Sequence, residues 1–214
     1  MKEQPAIAVF ARAPIPGRVK TRLIGPLSAE QSCELHRAFV RDTWAMLADL
    51  AAPSALRLYT DSPHEEWSAL AGPAVRLQKG EQLGERMLNC FQELLEEGRT
   101  PLMILGSDNP TLPATVLAPW TELLRRWPAL LGPAEDGGYY AVGCRAPHPR
   151  MFEGVEWSSP QTLAQTESSL RRCGLPPAFL APWYDVDKPE DLTRLAAEPS
   201  LPSHTKRWIE RYFE

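Results

Sequence analysis

The chain has 214 residues, 43% of them hydrophobic and 23% charged, and a formal net charge of −4. That is the composition of an ordinary globular protein with length for one full core, so a single domain spanning 1–214 is expected. The acidic balance argues against a nucleic-acid partner, which favours a broad basic face. No stretch approaches the ~20 apolar residues of a membrane helix, and the N-terminal apolar run is too short for a signal peptide. Cys33, Cys90, Cys144 and Cys173 lack metal or redox spacing and read as buried reduced thiols, so a soluble cytoplasmic protein without a membrane is expected.

Taken in order, Ala6 to Ala11 shows no polar alternation and predicts a strand buried on both faces. A loop runs from Arg12 to Leu27. Ser28 and Gln31 have capping-box spacing, and Leu35, Phe39, Met46 and Leu50 mark one face of the helix that follows. Further strands are predicted at Ala55–Thr60, Ala74–Gln78, Leu102–Leu105, Leu130–Leu131, Tyr139–Gly143 and Ala178–Leu180. Between them lie a short helix opened by Ser62-Pro63-His64-Glu65, one ending before Gly98, one over Pro113–Trp127 and one over Ser158–Cys173 with Ser158 as cap. A helix starts in Asp185–Leu192, and Thr205–Phe213 closes the chain. Alternating strands and helices imply a three-layer α/β/α fold on a mainly parallel sheet, with ligands beyond the carboxyl ends of the strands.

The unusual residues gather at those ends. Arg12, Arg18, Lys20 and Arg22 follow the first strand, and no acidic residue falls between Gln4 and Ala29. Pro14, Pro16 and Gly17 stiffen this loop so that its backbone can approach a ligand, and the cations suit a bound phosphate chain. Its spacing matches neither a Walker loop nor the dinucleotide-binding glycine fingerprint. Asp108 stands directly after an apolar strand, a position suited to a divalent metal, although Asp108-Asn109-Pro110 has turn chemistry of its own. Asp185 and Asp187 are candidates for a second carboxylate, and Asp187-Lys188-Pro189-Glu190 equally fits a helix N-cap. Asp136-Gly137-Gly138 is either a tight turn or a stretch whose amides face a substrate. The four histidines carry no ligand spacing, and Trp157 fits a pocket wall or plain packing.

The stretch Phe10-Ala11-Arg12-Ala13-Pro14-Ile15-Pro16-Gly17-Arg18-Val19-Lys20-Thr21-Arg22-Leu23 resembles the N-terminal signature of the radical-SAM/selenodomain-associated transferases. These bacterial proteins are commonly described as glycosyltransferases, some in arsenosugar biosynthesis. Gly106–Leu112, Gly132–Tyr140 and Asp185–Leu192 are similar to the family's other blocks in the same order, to about Leu195. The resemblance implies the GT-A nucleotide-diphospho-sugar transferase fold, shared with nucleotidyltransferases, in which a carboxylate at the position of Asp108 helps to hold the metal. Ser107-Asp108-Asn109 departs from the Asp-x-Asp pattern of many such glycosyltransferases, and the resemblance favours Asp187 as the second ligand.

The expectation is therefore a transferase using Mg²⁺ or Mn²⁺, a nucleotide or nucleotide-sugar donor and a small-molecule acceptor. Lys20 and Asp108 would be catalytic; Arg12, Gly17, Arg18, Lys20 and Arg22 would hold the donor. Asn109, Asp136, Gly137 and Gly138 would line the substrate, and Asp108 and Asp187 would hold the metal. Sugar transfer is the first reading and nucleotidyl transfer, releasing pyrophosphate, the second. A nucleotide-binding module without turnover is the third.

Overall fold

A computed structural model describes residues 3–213. Seven strands form one sheet: β1 (Ala6–Phe10), β2 (Leu56–Thr60), β3 (Val75–Leu77), β4 (Leu102–Gly106), β5 (Ala129–Pro133), β6 (Tyr139–Cys144) and β7 (Pro177–Phe179). They lie in the order β3-β2-β1-β4-β6-β5-β7. Within β1, Ala6 and Ala8 enter one core while Ile7 and Val9 enter another, all at most 1% exposed. A strand whose alternate residues feed two cores must be apolar throughout, which is why β1 shows no alternation.

The helices are α1 (Ala29–Leu50), α2 (Glu65–Ala71), α3 (Leu83–Glu96), α4 (Ala114–Leu117), α5 (Trp120–Arg126), α6 (Thr162–Arg172), α7 (Pro189–Ala196) and α8 (Ser203–Tyr212). Phe91 and Leu94 of α3 and Leu170 of α6 cover one face of the sheet. Leu47 of α1, Leu117 of α4 and Leu124 of α5 cover the other, completing three layers. A further core packs Leu35 and Phe39 of α1 against α7, α8 and the segment holding Tyr184 and Val186.

Several boundaries differ from the sequence expectation. The predicted Pro113–Trp127 helix is two short helices, because Pro119 cannot donate the hydrogen bond that a continuous helix needs there. The predicted cap at Ser158 is displaced: Ser158 has φ +59°, the helix starts at Thr162, and the Ser159 hydroxyl accepts from Gln161 N. The short helix after β2 starts at Glu65 with His64 as its cap, so Pro63 lies outside it. The Ser28–Gln31 capping box forms as expected.

Strand β6 runs antiparallel to both neighbours, while every other pairing is parallel. Only five residues separate Pro133 from Tyr139. That is too short for a crossover, so the chain must double back. Gly137 has φ +90°, and a Cβ there would fall 2.2 Å from the Pro160 carbonyl oxygen, so this turn requires glycine.

Candidate functional site

The loop after β1 is pinned from several elements. The Arg12 carbonyl accepts from Trp67 Nε1 at 3.0 Å and from His36 Nε2 at 2.9 Å. Because a carbonyl can only accept, that His36 nitrogen carries the proton. Ala13 N donates to Asp61 Oδ1 at 2.7 Å, and the Arg37 guanidinium donates to the Pro14 carbonyl at 3.1 Å. Val19 and Leu23 are buried as anchors, leaving the Arg12, Arg18 and Arg22 side chains exposed along the rim. Gly17 has φ +77° with open space where a Cβ would sit, so backbone conformation and not close packing selects it.

Lys20 behaves differently from the other cations of the loop. Its backbone is left-handed, φ 47° and ψ 39°, and its side chain is 4% exposed. The ammonium lies 2.5 Å from Asp108 Oδ1 and donates to Asp187 Oδ1 at 2.9 Å and to the Val186 carbonyl at 2.8 Å. Three donors meet three acceptors. Burial opposes the Lys20 charge, but the Asp108 and Asp187 carboxylates outweigh it and raise its pKa above the ordinary value. Burial likewise opposes ionisation of Asp108, yet Lys20 prevails and holds that carboxyl below its ordinary value. The Asp108 side chain stays 45% open to solvent and that of Asp187 33%, so both carboxylates remain reachable from solvent.

The segment after β7 carries the remaining acids across the sheet. Val186 N donates to the Asp108 carbonyl at 2.9 Å, and Glu135 N to the Trp183 carbonyl at 3.0 Å. The Asn109 carboxamide donates to the Tyr184 carbonyl at 2.8 Å and to Asp185 Oδ1 at 2.5 Å. Burial, then the Asp108 and Asp136 carboxylates, push the Asp185 carboxyl up to about 7, even though Asn109 favours its ionised form. The Asp108, Asp136 and Asp187 carboxylates thus all act on Asp185, and the one buried cation paired with this group among the described residues is Lys20.

The N-cap reading of Asp187 does not hold. Asp191 Oδ2, inside the first turn of α7, accepts from Asp187 N at 2.9 Å and Lys188 N at 2.7 Å. The Asp187 carboxylate is thereby free to face Lys20, with Arg22 Nη1 at 3.8 Å. Asn109 is 6% exposed and its carboxamide donates to Tyr184 and Asp185, so it positions the floor and does not present that group to a substrate. The Gly137 and Gly138 amides are likewise engaged inside their turn, on the Ala134 carbonyl at 3.2 Å and on Asp136 Oδ1 at 2.8 Å. Of that stretch Asp136, whose exposed carboxylate accepts from Gly138 N, lies near enough for its charge to raise Asp185. Trp157 packs beside Phe152, with its ring edge 2.8 Å from where a Cβ on Gly84 would lie, so it is a half-buried residue packed against the core. Cys33, Cys90 and Cys144 are free buried thiols as expected, whereas Cys173 is half-buried.

Sequence patterns missed the residues that hold the site from behind. His36 and Arg37 lie on α1, Asp61 follows β2, and Trp67 lies on α2. The one usable signal was a histidine at the helical spacing of Phe39, i and i+3, on a face that turns inward.

Among the described residues no three His, Cys, Asp or Glu side chains enclose a metal by themselves. The partly exposed Asp108–Asp187 pair suits an ion that takes one or two carboxylates and completes its shell with water and phosphate oxygens. Asp108 and Asp187 are the residues that would hold it. Burial and then the neighbouring carboxylates raise Asp185, and a divalent cation would relieve the repulsion from those carboxylates.

The fold is an α/β architecture of the nucleotide-diphospho-sugar transferase kind. The protein belongs to the family described as "Uncharacterized protein conserved in bacteria (DUF2064)", whose model matches residues 45–159. It is similar to a candidate nucleotide-diphospho-sugar transferase from Desulfovibrio desulfuricans G20, at 30% identity and a TM-score of 0.85 over 99% of each chain. The structure of CMP:2-keto-3-deoxy-manno-octonic acid synthetase complexed with CTP aligns with a TM-score of 0.58 at 13% identity, covering 90% of this chain and 96% of that one. A cytidylyltransferase from Leptospira borgpetersenii serovar Hardjo-bovis (strain JB197) gives 0.58 at 12% identity, over 98% and 94%. At such identities these two matches establish the fold alone. No curated protein matches in sequence. Among the described residues no helix is long and apolar enough to cross a membrane.

Proposed function

We propose that the protein is a divalent-metal-dependent transferase acting on a nucleotide-activated donor, with sugar transfer from a nucleotide-diphospho-sugar to a small-molecule acceptor as its reaction. One observation carries this reading. The loop after β1 and the carboxylates after β4 and β7 meet at one partly exposed site, joined by the Lys20 ion pairs. Asp108 and Asp187 would hold Mg²⁺ or Mn²⁺, which neutralises charge on a departing phosphate. The exposed guanidiniums of Arg12, Arg18 and Arg22 offer forked donors to the donor's phosphate chain from the rim. Asp136, fixed by Gly138 N, carries an exposed carboxylate on the acceptor side. The free thiols fit a reducing cytoplasmic setting.

Nucleotidyl transfer from a nucleoside triphosphate is the second reading, favoured by the density of that rim. Three exposed arginines within eleven residues suit a triphosphate and its leaving pyrophosphate. A module that binds nucleotide without turnover would do so without metal.

The test is a thermal-shift screen of nucleotides and nucleotide sugars, with and without Mg²⁺, because a ligand of the folded state raises Tm. Product analysis follows for each stabilising ligand. Released nucleoside diphosphate supports sugar transfer and released pyrophosphate supports nucleotidyl transfer. Nucleotide binding that ignores Mg²⁺ would overturn the metal-dependent reading.

A further inference from the structure

The two carboxylates suited to a metal are already bridged by a cation of the chain itself. Lys20 Nζ contacts Oδ1 of both Asp108 and Asp187, at 2.5 and 2.9 Å, and spends its third hydrogen on the Val186 carbonyl. A divalent cation of the magnesium kind sits 2.0–2.1 Å from its oxygen ligands. Shared between these carboxylates, it would lie beside a buried ammonium with little water to screen the repulsion. The two cations therefore compete for one seat.

The backbone gives Lys20 a way out. It is one of two non-glycine residues at positive φ among the described residues, and it directly precedes the 3-10 turn Thr21–Leu23. Left-handed geometry is strained for a lysine, and the ion pairs hold it there. Rotation at this residue would turn its long side chain from the floor to the rim, where Arg12, Arg18 and Arg22 are exposed.

We infer that Lys20 is a built-in counter-ion that satisfies Asp108 and Asp187 in the metal-free protein and leaves them when a divalent cation enters. This rests on the metal-dependent reading above. Its consequence is coupling between ligands. Phosphate oxygens that accept the displaced ammonium at the rim favour the open seat, so donor and metal each strengthen binding of the other.

The experiment uses Mn²⁺ alone, followed by calorimetry. Lys20→Gln and Lys20→Met remove the competitor and should bind Mn²⁺ on the order of tenfold tighter than the wild-type protein. Asp108→Asn should lose the tight binding in either background. Circular dichroism checks that the variants fold. A second measurement needs no variant. A buried, fully hydrogen-bonded ammonium exchanges slowly enough to give an NMR signal, whereas the described Lys79, Lys188 and Lys206 are exposed. That signal should fade in proportion as Mg²⁺ saturates the wild-type protein. Equal Mn²⁺ affinity of folded Lys20→Gln and wild type, or an ammonium signal that survives Mg²⁺ saturation, overturns this inference alone. Absence of metal binding in every form, with or without nucleoside diphosphate, overturns the metal-dependent reading as well.

Discussion

The Asn109 carboxamide joins Asp185 Oδ1 at 2.5 Å while also holding the Tyr184 carbonyl at 2.8 Å, so one buried side chain ties the end of β4 to the segment that carries Asp185 and Asp187. Removing it leaves a buried carbonyl without its donor and a carboxylate without its only neutral partner among those hydrogen bonds. Asn109→Ala should destabilise the fold by about 2 kcal/mol, since one of the lost bonds is to a charged group. For a domain of this size that lowers Tm by roughly 4–8 °C. A variant that melts with the wild type would show that Asn109 carries no positioning load.

Asp185 should destabilise the metal-free protein when ionised. Burial and the neighbouring carboxylates raise its folded pKa to about 7. An acid raised in the fold contributes stability present below its unfolded value of ~3.9 and lost as pH rises through the folded value. In EDTA, Asp185→Asn should therefore melt above the wild type at pH 8 and close to it at pH 4. A constant offset across that range would contradict the electrostatic origin.

His36 works in the opposite direction. Burial holds its pKa below the ordinary value, and the neutral ring donates to the Arg12 carbonyl. Its stability contribution is present above the unfolded pKa of ~6.5 and lost as pH falls through the depressed folded value. Between pH 7.5 and 5, the wild type should lose more Tm than His36→Gln. Parallel melting profiles for the two proteins would exclude His36 as the source.

Gly137 tests the turn that reverses the chain into β6. Its φ of +90° disfavours any side chain, and a Cβ would meet the Pro160 backbone at 2.2 Å. Gly137→Ala should cost at least about 2 kcal/mol, because backbone strain and a clash with main chain add. Gly17→Ala, with φ +77° but open space, should cost only the strain, about 1 kcal/mol. Equal losses in urea unfolding would mean that the Pro160 contact relaxes freely.

Local pattern alone determined much of this protein. The uninterrupted apolar run of β1, the Ser28–Gln31 box that starts α1 and the basic stretch from Arg12 to Arg22 are each written in neighbouring residues, so each was legible in the sequence. So was the placement of Asp108 directly after an apolar strand. Tertiary structure decided how those parts are used. Lys20 and Asp187 are 167 residues apart and meet only because the segment after β7 returns across the ends of β4 and β5. That return makes Asp187 an ion-pair partner instead of a helix cap and brings Asp185 in as a further acid. It also makes Lys20 a buried bridge, unlike its three exposed arginine neighbours. Capping and periodicity are short-range and leave a mark on residue spacing, whereas a charge's burial and partners depend on which distant strands become neighbours.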